Sequence, residues 1–143
     1  MMSMDRDLAE CADCLCLASR RAARTLTRGY DRHLRPLGLR TTQFSILVTL
    51  TLRGPVTVGD LAEQLGSERT TLTRNLALLA AKNWVEIRTG EDARARIVSV
   101  TRKGRAVVAG ALPAWRKAQR AAIAAVGEAG AATLRGLARK PMR

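Results

Sequence analysis

The sequence predicts a mainly α-helical chain with one small β-hairpin, and three observations lead to this prediction. Apolar residues recur every three or four positions in residues 5–34 and again in residues 101–126, which is the spacing of amphipathic helices. Two shorter helical patterns meet at a Gly-Ser pair within residues 58–81. Valine and isoleucine flank a turn-rich tip in residues 85–100, which is typical of a β-hairpin.

The first predicted helix runs from Asp5 to Leu34, and Pro36 and Gly38 end it. A helix of about 30 residues in so small a chain cannot bury its whole apolar stripe against its own domain. We therefore expect a partner helix from a second copy of the chain. The stripe consists of Leu8, Cys11, Leu15, Ala18, Ala22, Leu26 and Tyr30.

The second predicted helix takes Thr41 or Thr42 as its N-cap and stops at Gly54 and Pro55. Residues 56–58 are predicted to be short and extended. They connect this helix to the pair of short helices that follows.

The two short helices cross at Gly66-Ser67, which is the helix-turn-helix pattern, and Ser67 is the expected N-cap of the second helix. Leu72, Leu76 and Leu79 form the predicted buried stripe of that helix. Its other faces carry short hydroxyl side chains and arginine, which suit the major groove of DNA. The candidate DNA-binding residues here are Ser67, Arg69, Thr70, Thr71, Thr73, Arg74 and Asn75. An ordinary solvated helix face has a similar composition, so this alternative stays open.

The predicted hairpin follows the helix-turn-helix directly, and together they form a winged helix. Its tip presents Arg94 and Arg96, which can reach a narrow minor groove, and Asp92 is placed to orient the Arg94 guanidinium. The alternative is that these arginines contribute only to the solubility of an exposed loop tip.

The last predicted helix begins at about Thr101. Pro113 is a candidate kink, and Gly127 and Gly130 are expected to break the helix before a final segment. This part of the chain is strongly basic.

Charge indicates the class of partner. The formal net charge is +13, and residues 69–105 hold nine basic and three acidic side chains. Such a balance favours a polyanion, either nucleic acid or an anionic membrane surface. The basic C-terminal residues do not oppose an apolar helix face, so we expect no membrane partner.

Other functions are not favoured. The chain has one histidine and none of the common catalytic motifs, so we expect no enzyme and no cofactor. No secretory signal is visible, and we expect a cytoplasmic protein.

The ordered motifs resemble those of the MarR family of transcription regulators. LRPLGLRTTQFSIL is similar to the junction of the family's first two helices, VGDLAEQLGSERTTLTRNLALLAAKNWVE to its DNA-binding helices, and EDARARIVSVTRKG to its wing. Asn83 departs mildly from the pattern, because glycine is frequent there, but asparagine is the next-best residue at a left-handed helix terminus.

The resemblance implies a homodimer in which residues 1–40 and 101–143 form the dimerisation region and residues 41–100 the DNA-binding domain. It implies that Thr70, Thr71 and Arg74 enter the major groove. It further implies that Arg94, oriented by Asp92, enters the minor groove of an inverted-repeat operator with half-sites about one helical turn apart. The expected activity is regulation of transcription, usually repression, that a small molecule or an oxidant relieves. The alternative function is a sequence-nonspecific architectural DNA-binding protein.

Three cysteines, Cys11, Cys14 and Cys16, suggest a signal to which the regulator could respond. On one regular helix Cys14 and Cys16 would point about 160° apart, so they cannot both bind one ion. Cys11 and Cys14 could do so with ligands from another subunit, but zinc usually needs four ligands and the chain supplies few, so we predict no metal site. The chain partly resembles the peroxide-sensing OhrR branch of the family. Alignment through Gln43-Phe44 places Cys16 at the reactive cysteine and Tyr30 at a tyrosine that bonds this thiol across the dimer, while Thr41 replaces a second tyrosine. The alternatives are thiols that are only packed at a dimer interface, and a small aromatic effector as the signal.

Overall fold

The computed structural model describes residues 2–92 and 94–139. It confirms a mainly helical chain with one small sheet. In chain order the elements are α1 (Met2–Ala9), α2 (Leu15–Leu34), α3 (Thr41–Arg53), β1 (Val56–Thr57), α4 (Val58–Leu65), α5 (Arg69–Ala81), β2 (Val85–Thr89), β3 (Arg96–Val100) and α6 (Arg102–Arg139). None of the helices in these two ranges is long and apolar enough to cross a membrane.

The predicted hairpin gains a third strand. The sheet is antiparallel in the order β1-β3-β2, with Val56 opposite Val98 and Val85 opposite Val100. The extended residues before α4 thus pair with the wing. This pairing joins the start of the helix-turn-helix to the hairpin that follows it.

The core lies where α3, α4, α5 and the sheet meet α6. Phe44 of α3 stacks on Trp115 of α6, with ring centroids 6.2 Å apart. Complete burial of a leucine stabilises a fold by about 1.5–3 kcal/mol. The largest fully buried side chains are Leu34, Leu47, Leu50, Leu61, Leu72, Leu76, Leu79 and Val98.

The first predicted helix is not continuous. After α1 the chain forms a 3-10 turn at Glu10–Asp13, and Cys14 leaves helical geometry with φ −57° and ψ 121°. The N–H of Cys14 donates to the carbonyl of Cys11 at 3.2 Å, which closes the turn before α2 begins. The apolar spacing is the same on both sides of the break, so periodicity could not reveal it. The assumption of one regular helix, on which the predicted angles between the cysteines rest, was therefore wrong.

The cap prediction for α3 was also wrong. The helix begins at Thr41 with Arg40 as its N-cap, and the N–H of Thr41 donates to the Asp31 carboxylate at 2.7 Å. The N–H of Arg40 donates to the side chain of the buried Gln43. The Asp31 carboxylate of α2 thus satisfies a free N–H group at the N-terminus of α3, a role that was expected of a threonine hydroxyl.

The last helix is interrupted once within the described residues. Gly127, with φ 78° and ψ 163°, is the residue with non-helical dihedrals inside α6. Gly130 lies within helical structure, so the second expected break is not found there. Pro113 also lies inside the helix, and the kink expected at this residue stays a prediction. Residues 128–139 thus form a separate helical segment that folds beside α2.

Candidate nucleic-acid interface

The turn between α4 and α5 is built from local hydrogen bonds. The Thr57 hydroxyl caps α4 by accepting from the N–H of Asp60 at 3.1 Å. Gly66 ends α4 with φ 59°, a conformation that glycine adopts without a steric cost. The N-cap of α5 is Glu68, not Ser67, whose hydroxyl donates to the Glu68 carbonyl instead. The turn thus aims α5 outward without a side-chain cap at its N-terminus.

The candidate residues of α5 separate into three directions. Arg69 and Thr73 face the wing across a groove. Thr71 and Asn75 face α3 across a second, smaller cavity of about 160 Å³ that Ser67 also lines. Thr70 and Arg74 line neither cavity and lie opposite the buried leucine stripe, so they form the outermost edge of the helix.

The hydroxyl of Thr73 is already engaged. It donates to the carbonyl of Arg69 at 2.8 Å, one turn earlier in α5. Its proton is therefore not free for a ligand, and the side chain offers only its oxygen as an acceptor and its methyl group. Sequence reasoning did not distinguish it from Thr70, for which the structure records no such bond.

The tip of the wing is a hydrogen-bonded turn. The N–H of Gly90 donates to the carbonyl of Ala95, and the N–H of Ala95 donates to the carbonyl of Asp92 at 2.9 Å. The Asp92 carboxylate accepts from the main-chain N–H of Arg94 at 3.1 Å. Asp92 therefore shapes the backbone of the tip. Its expected role in orienting the Arg94 guanidinium stays a prediction.

The wing and α5 enclose a groove of about 280 Å³. It brings together three arginines that are far apart in sequence, one at the start of α5 and two on the wing. None of the described residues that line it is a carboxylate. Three cations around one groove favour an anionic ligand. Its lining consists of Val58, Arg69, Thr73, Leu76, Ala77, Ile87, Arg94 and Arg96.

Sequence reasoning missed the start of α4 as part of this surface. Thr57 and Gly59 line a shallow cavity of about 260 Å³ beside Arg69, Asp92 and Arg94. The Thr-x-x-Asp pattern at 57–60 signals a helix N-terminus, but only the pairing of β1 with β3 brings that terminus next to the wing.

The cysteines lie far along the chain from this surface. All three thiols are exposed in the single chain, and Cys14 is the residue between the 3-10 turn and α2. The ranges 2–92 and 94–139 contain no group of three His, Cys, Asp or Glu side chains that could hold a metal.

Tyr30 is engaged within its own chain. It is half-buried, and its hydroxyl donates to the side-chain oxygen of Gln119 in α6. Burial raises the pKa of Tyr30 above its usual value, and the charge of Arg135 lowers it by a smaller amount. The hydroxyl therefore stays protonated around neutral pH.

Comparisons with known proteins agree with this geometry. The sequence profile of the MarR family matches residues 37–95. An uncharacterised HTH-type transcriptional regulator, YwoH of Bacillus subtilis (strain 168), is 34% identical over 82 residues, which are 57% of this chain and 60% of that protein. The chain thus spans less than two thirds of this curated relative.

Two solved structures have the same fold. The M. tuberculosis transcriptional regulator MosR, solved with DNA, is 42% identical, with a TM-score of 0.78 over 89% of this chain and 95% of that one. A variant of E. coli MarR with operator DNA is 23% identical, with a TM-score of 0.75 over 90% and 93%. Its motifs, its fold and these similarities show that the chain belongs to the MarR family of winged helix-turn-helix transcriptional regulators.

Proposed function

We propose that this protein is a sequence-specific double-stranded DNA-binding regulator, acting as a repressor, that binds an inverted-repeat operator as a homodimer. The observation that carries the proposal is the edge of α5, where Thr70 and Arg74 project beside an arginine-lined groove. In this arrangement α5 enters the major groove, and Arg94 and Arg96 of the wing reach the adjacent minor groove. MosR, which shares 42% of its sequence with this chain, was solved with DNA.

The composition of that edge of α5 favours sequence-specific DNA binding over nonspecific DNA packaging. Arg74 is long enough to bind a guanine edge with two hydrogen bonds, while Thr70 is too short to obstruct the groove. A packaging protein needs only charge, and charge alone would not require short side chains around one arginine.

Dimerisation is supported by the apolar stripe of the first two helices. Leu8, Leu15 and Ala22 are exposed in the single chain, and only the end of the stripe at Leu26 and Tyr30 is half-buried against α6. A surface of this kind is typical of a subunit interface. A two-fold dimer presents two copies of α5, which matches an inverted repeat.

The test is selection of preferred DNA from a random pool, followed by footprinting against excess competitor DNA. We expect one palindromic sequence to survive the competition. Arg74→Ala should relax the base preference by about 1–3 kcal/mol at one position in each half-site. The control is Arg120→Ala, which removes the same charge from α6. Full affinity and unchanged preference in Arg74→Ala would contradict the proposed role of that residue.

The proposed signal is oxidation of a thiol near the N-terminus of α2. Cys16 is the proposed sensing residue, with Cys14 or Cys11 as the resolving thiol, and all three are exposed. Because Cys14 lies between the 3-10 turn and α2, a new bond there would change how the chain enters the first long helix. For Tyr30 to contact the partner's thiol, its hydroxyl must first release the side chain of Gln119.

The experiment is operator binding before and after treatment with an organic peroxide. Wild type should lose affinity and regain it with a reductant, whereas Cys16→Ser should keep its affinity throughout. An unchanged affinity of wild type after peroxide would exclude the thiol signal, and the same assay with aromatic acids would then test the small-effector alternative.

A further inference from the structure

A further cavity lies at the opposite end of α5 from the arginine-lined groove. It has a volume of about 500 Å³ and is lined by the end of α2, the start of α3 and the end of α5, and we name it the α2–α3 cavity. Lys82, which lines it, is the C-cap of α5, whereas Arg69 of the groove is the first residue of that helix. Because a helix of 13 residues is about 20 Å long, the cavity and the groove are separate.

Three cationic side chains converge on the α2–α3 cavity from three elements. Arg35 is the C-cap of α2, Arg40 the N-cap of α3, and Lys82 the C-cap of α5. Among the described residues of the lining, Asp31 is the one carboxylate, and it already accepts from the N–H of Thr41 at 2.7 Å. The N-terminus of α3 adds the positive end of a helix dipole. The cavity therefore has an excess of positive charge.

Lys82 is positioned by two contacts. Its Nζ donates to the carbonyl of Gly38 at 3.2 Å and lies 4.5 Å from the centre of the Trp84 ring. An ammonium group has three N–H donors, so two stay available to a ligand. A cation that is already positioned loses less entropy when a ligand binds.

A buried amide also lines the cavity. Gln43 is 6% exposed, and its Oε1 accepts from the N–H of Arg40 at 3.2 Å. Its Nε2 donates to no acceptor among the described residues, where every fully buried polar side-chain atom has a partner. The Nε2 group therefore opens into the cavity. A nearly buried donor of this kind favours a ligand that supplies an acceptor.

We propose that the α2–α3 cavity binds a small organic polyanion with at least two oxyanion groups, either a phosphate ester or a polycarboxylate. Guanidinium groups bind the oxygens of both classes in pairs, and the Gln43 amide supplies a neutral donor. The volume lies in the range of small-molecule sites, about 300–1,000 Å³. Leu39 is the one apolar side chain among the described residues of the lining, so a flat aromatic ligand has little surface to pack on. This inference does not depend on DNA binding.

The test is calorimetric titration of the full-length protein with pyrophosphate and, separately, with citrate. We expect at least one probe to bind at one site per chain, and the tighter probe identifies the class of ligand. The variant Arg35→Gln, Arg40→Gln should bind it about tenfold more weakly or worse, because charge-assisted hydrogen bonds are lost. The matched control is Arg94→Gln, Arg96→Gln, which removes the same charge from the wing and should bind like wild type. Binding of neither probe, or an equal loss in both variants, overturns the proposal.

A second variant and a competition complete the test. Arg35 and Arg40 are exposed, so their replacement should leave thermal unfolding without the probe unchanged. Lys82→Gln removes the cation at the end of α5 and should weaken binding independently. Wild-type affinity in this variant and in Arg35→Gln, Arg40→Gln overturns the site. Saturating duplex DNA should leave the number of bound probe molecules unchanged. Displacement of the probe by DNA would assign the cavity to the phosphate backbone of DNA and overturn the small ligand.

Discussion

Gly104, in the first turn of α6, lies directly against the main-chain carbonyl of Trp84, at the point where α5 gives way to β2. The contact is one of several at this junction. The N–H of Thr101 donates to the same carbonyl at 3.0 Å, and the Thr101 hydroxyl donates to the carbonyl of Asn83 at 2.6 Å. The hydroxyl also caps α6 by accepting from the N–H of Gly104. The end of α5 is thus tied to the start of α6.

Gly104→Ala is expected to destabilise the fold. A Cβ at this position would overlap the Trp84 carbonyl and approach the Val100 side chain to 2.8 Å, so the backbone must shift. Overpacking of this kind costs about 1–3 kcal/mol. Denaturant unfolding measures it, with Gly110→Ala as the control.

The control is matched because Gly110 lies in the same helix with nothing within 4 Å of its would-be Cβ. It should be neutral or stabilise α6 by up to about 1 kcal/mol through helix propensity. Equal stability changes in the two variants would mean that the contact with Trp84 is unimportant.

Asn83 is expected to tolerate glycine but not alanine. It has φ 61°, which is left-handed backbone, and the end of α5 turns into the wing through this residue. A left-handed residue with a Cβ costs about 1–2 kcal/mol, and asparagine offsets part of this locally. Thermal unfolding should therefore rank Asn83→Gly near wild type and Asn83→Ala below it. Equal losses of stability in both variants would show that the side-chain amide, and not the backbone, matters here.

Tyr30 is expected to make the stability of the protein depend on alkaline pH. Burial raises its folded pKa, so its contribution to stability is fully present below the unfolded value of 10.0 and is lost as pH rises through the folded pKa. Because Tyr30 is the only tyrosine, tyrosinate absorbance reports its pKa directly.

The companion variants test the cause of that shift. Arg135→Gln should raise the pKa of Tyr30 further, because the guanidinium favours the tyrosinate form. In Tyr30→Phe the free energy of unfolding should fall less at alkaline pH than in wild type, because the ionising tyrosine is gone. A pKa of Tyr30 that Arg135→Gln lowers would contradict this account.

Arg94→Ala is expected to weaken DNA binding with little change of sequence preference. Arg94 lines the groove between α5 and the wing and is proposed to contact the minor groove. Its removal should reduce the slope of log affinity against log salt by about 1 for each half-site. Arg120→Ala, in α6, is the control. A slope that falls equally in both variants would assign the effect to general charge.

The parts of the site that a local pattern encodes could be predicted. The leucine stripe of α5 follows from a helical period over about two turns, and the left-handed Asn83 from its place after a helix. The hairpin strands follow from valine and isoleucine around a polar tip. Each of these features depends on neighbours within a few residues.

The parts that depend on distant neighbours could not be predicted. The N-terminus of α3 is satisfied by Asp31 of another helix, and the helix break at Cys14 leaves the apolar period unchanged. The Asp92 carboxylate accepts from the main-chain N–H of Arg94, a bond that the sequence pattern did not indicate.

The sequence by itself determined the order of elements, the buried face of α5 and the identity of the family, because these rest on periodicity and ordered motifs. Only the tertiary structure decided which exposed residues of the chain lie next to one another. The pairing of β1 with β3 brings the start of α4 to the wing, and the groove joins Arg69 to Arg94 and Arg96. Such convergence arises from burial of the leucine core, a non-local effect that no short pattern of residues contains.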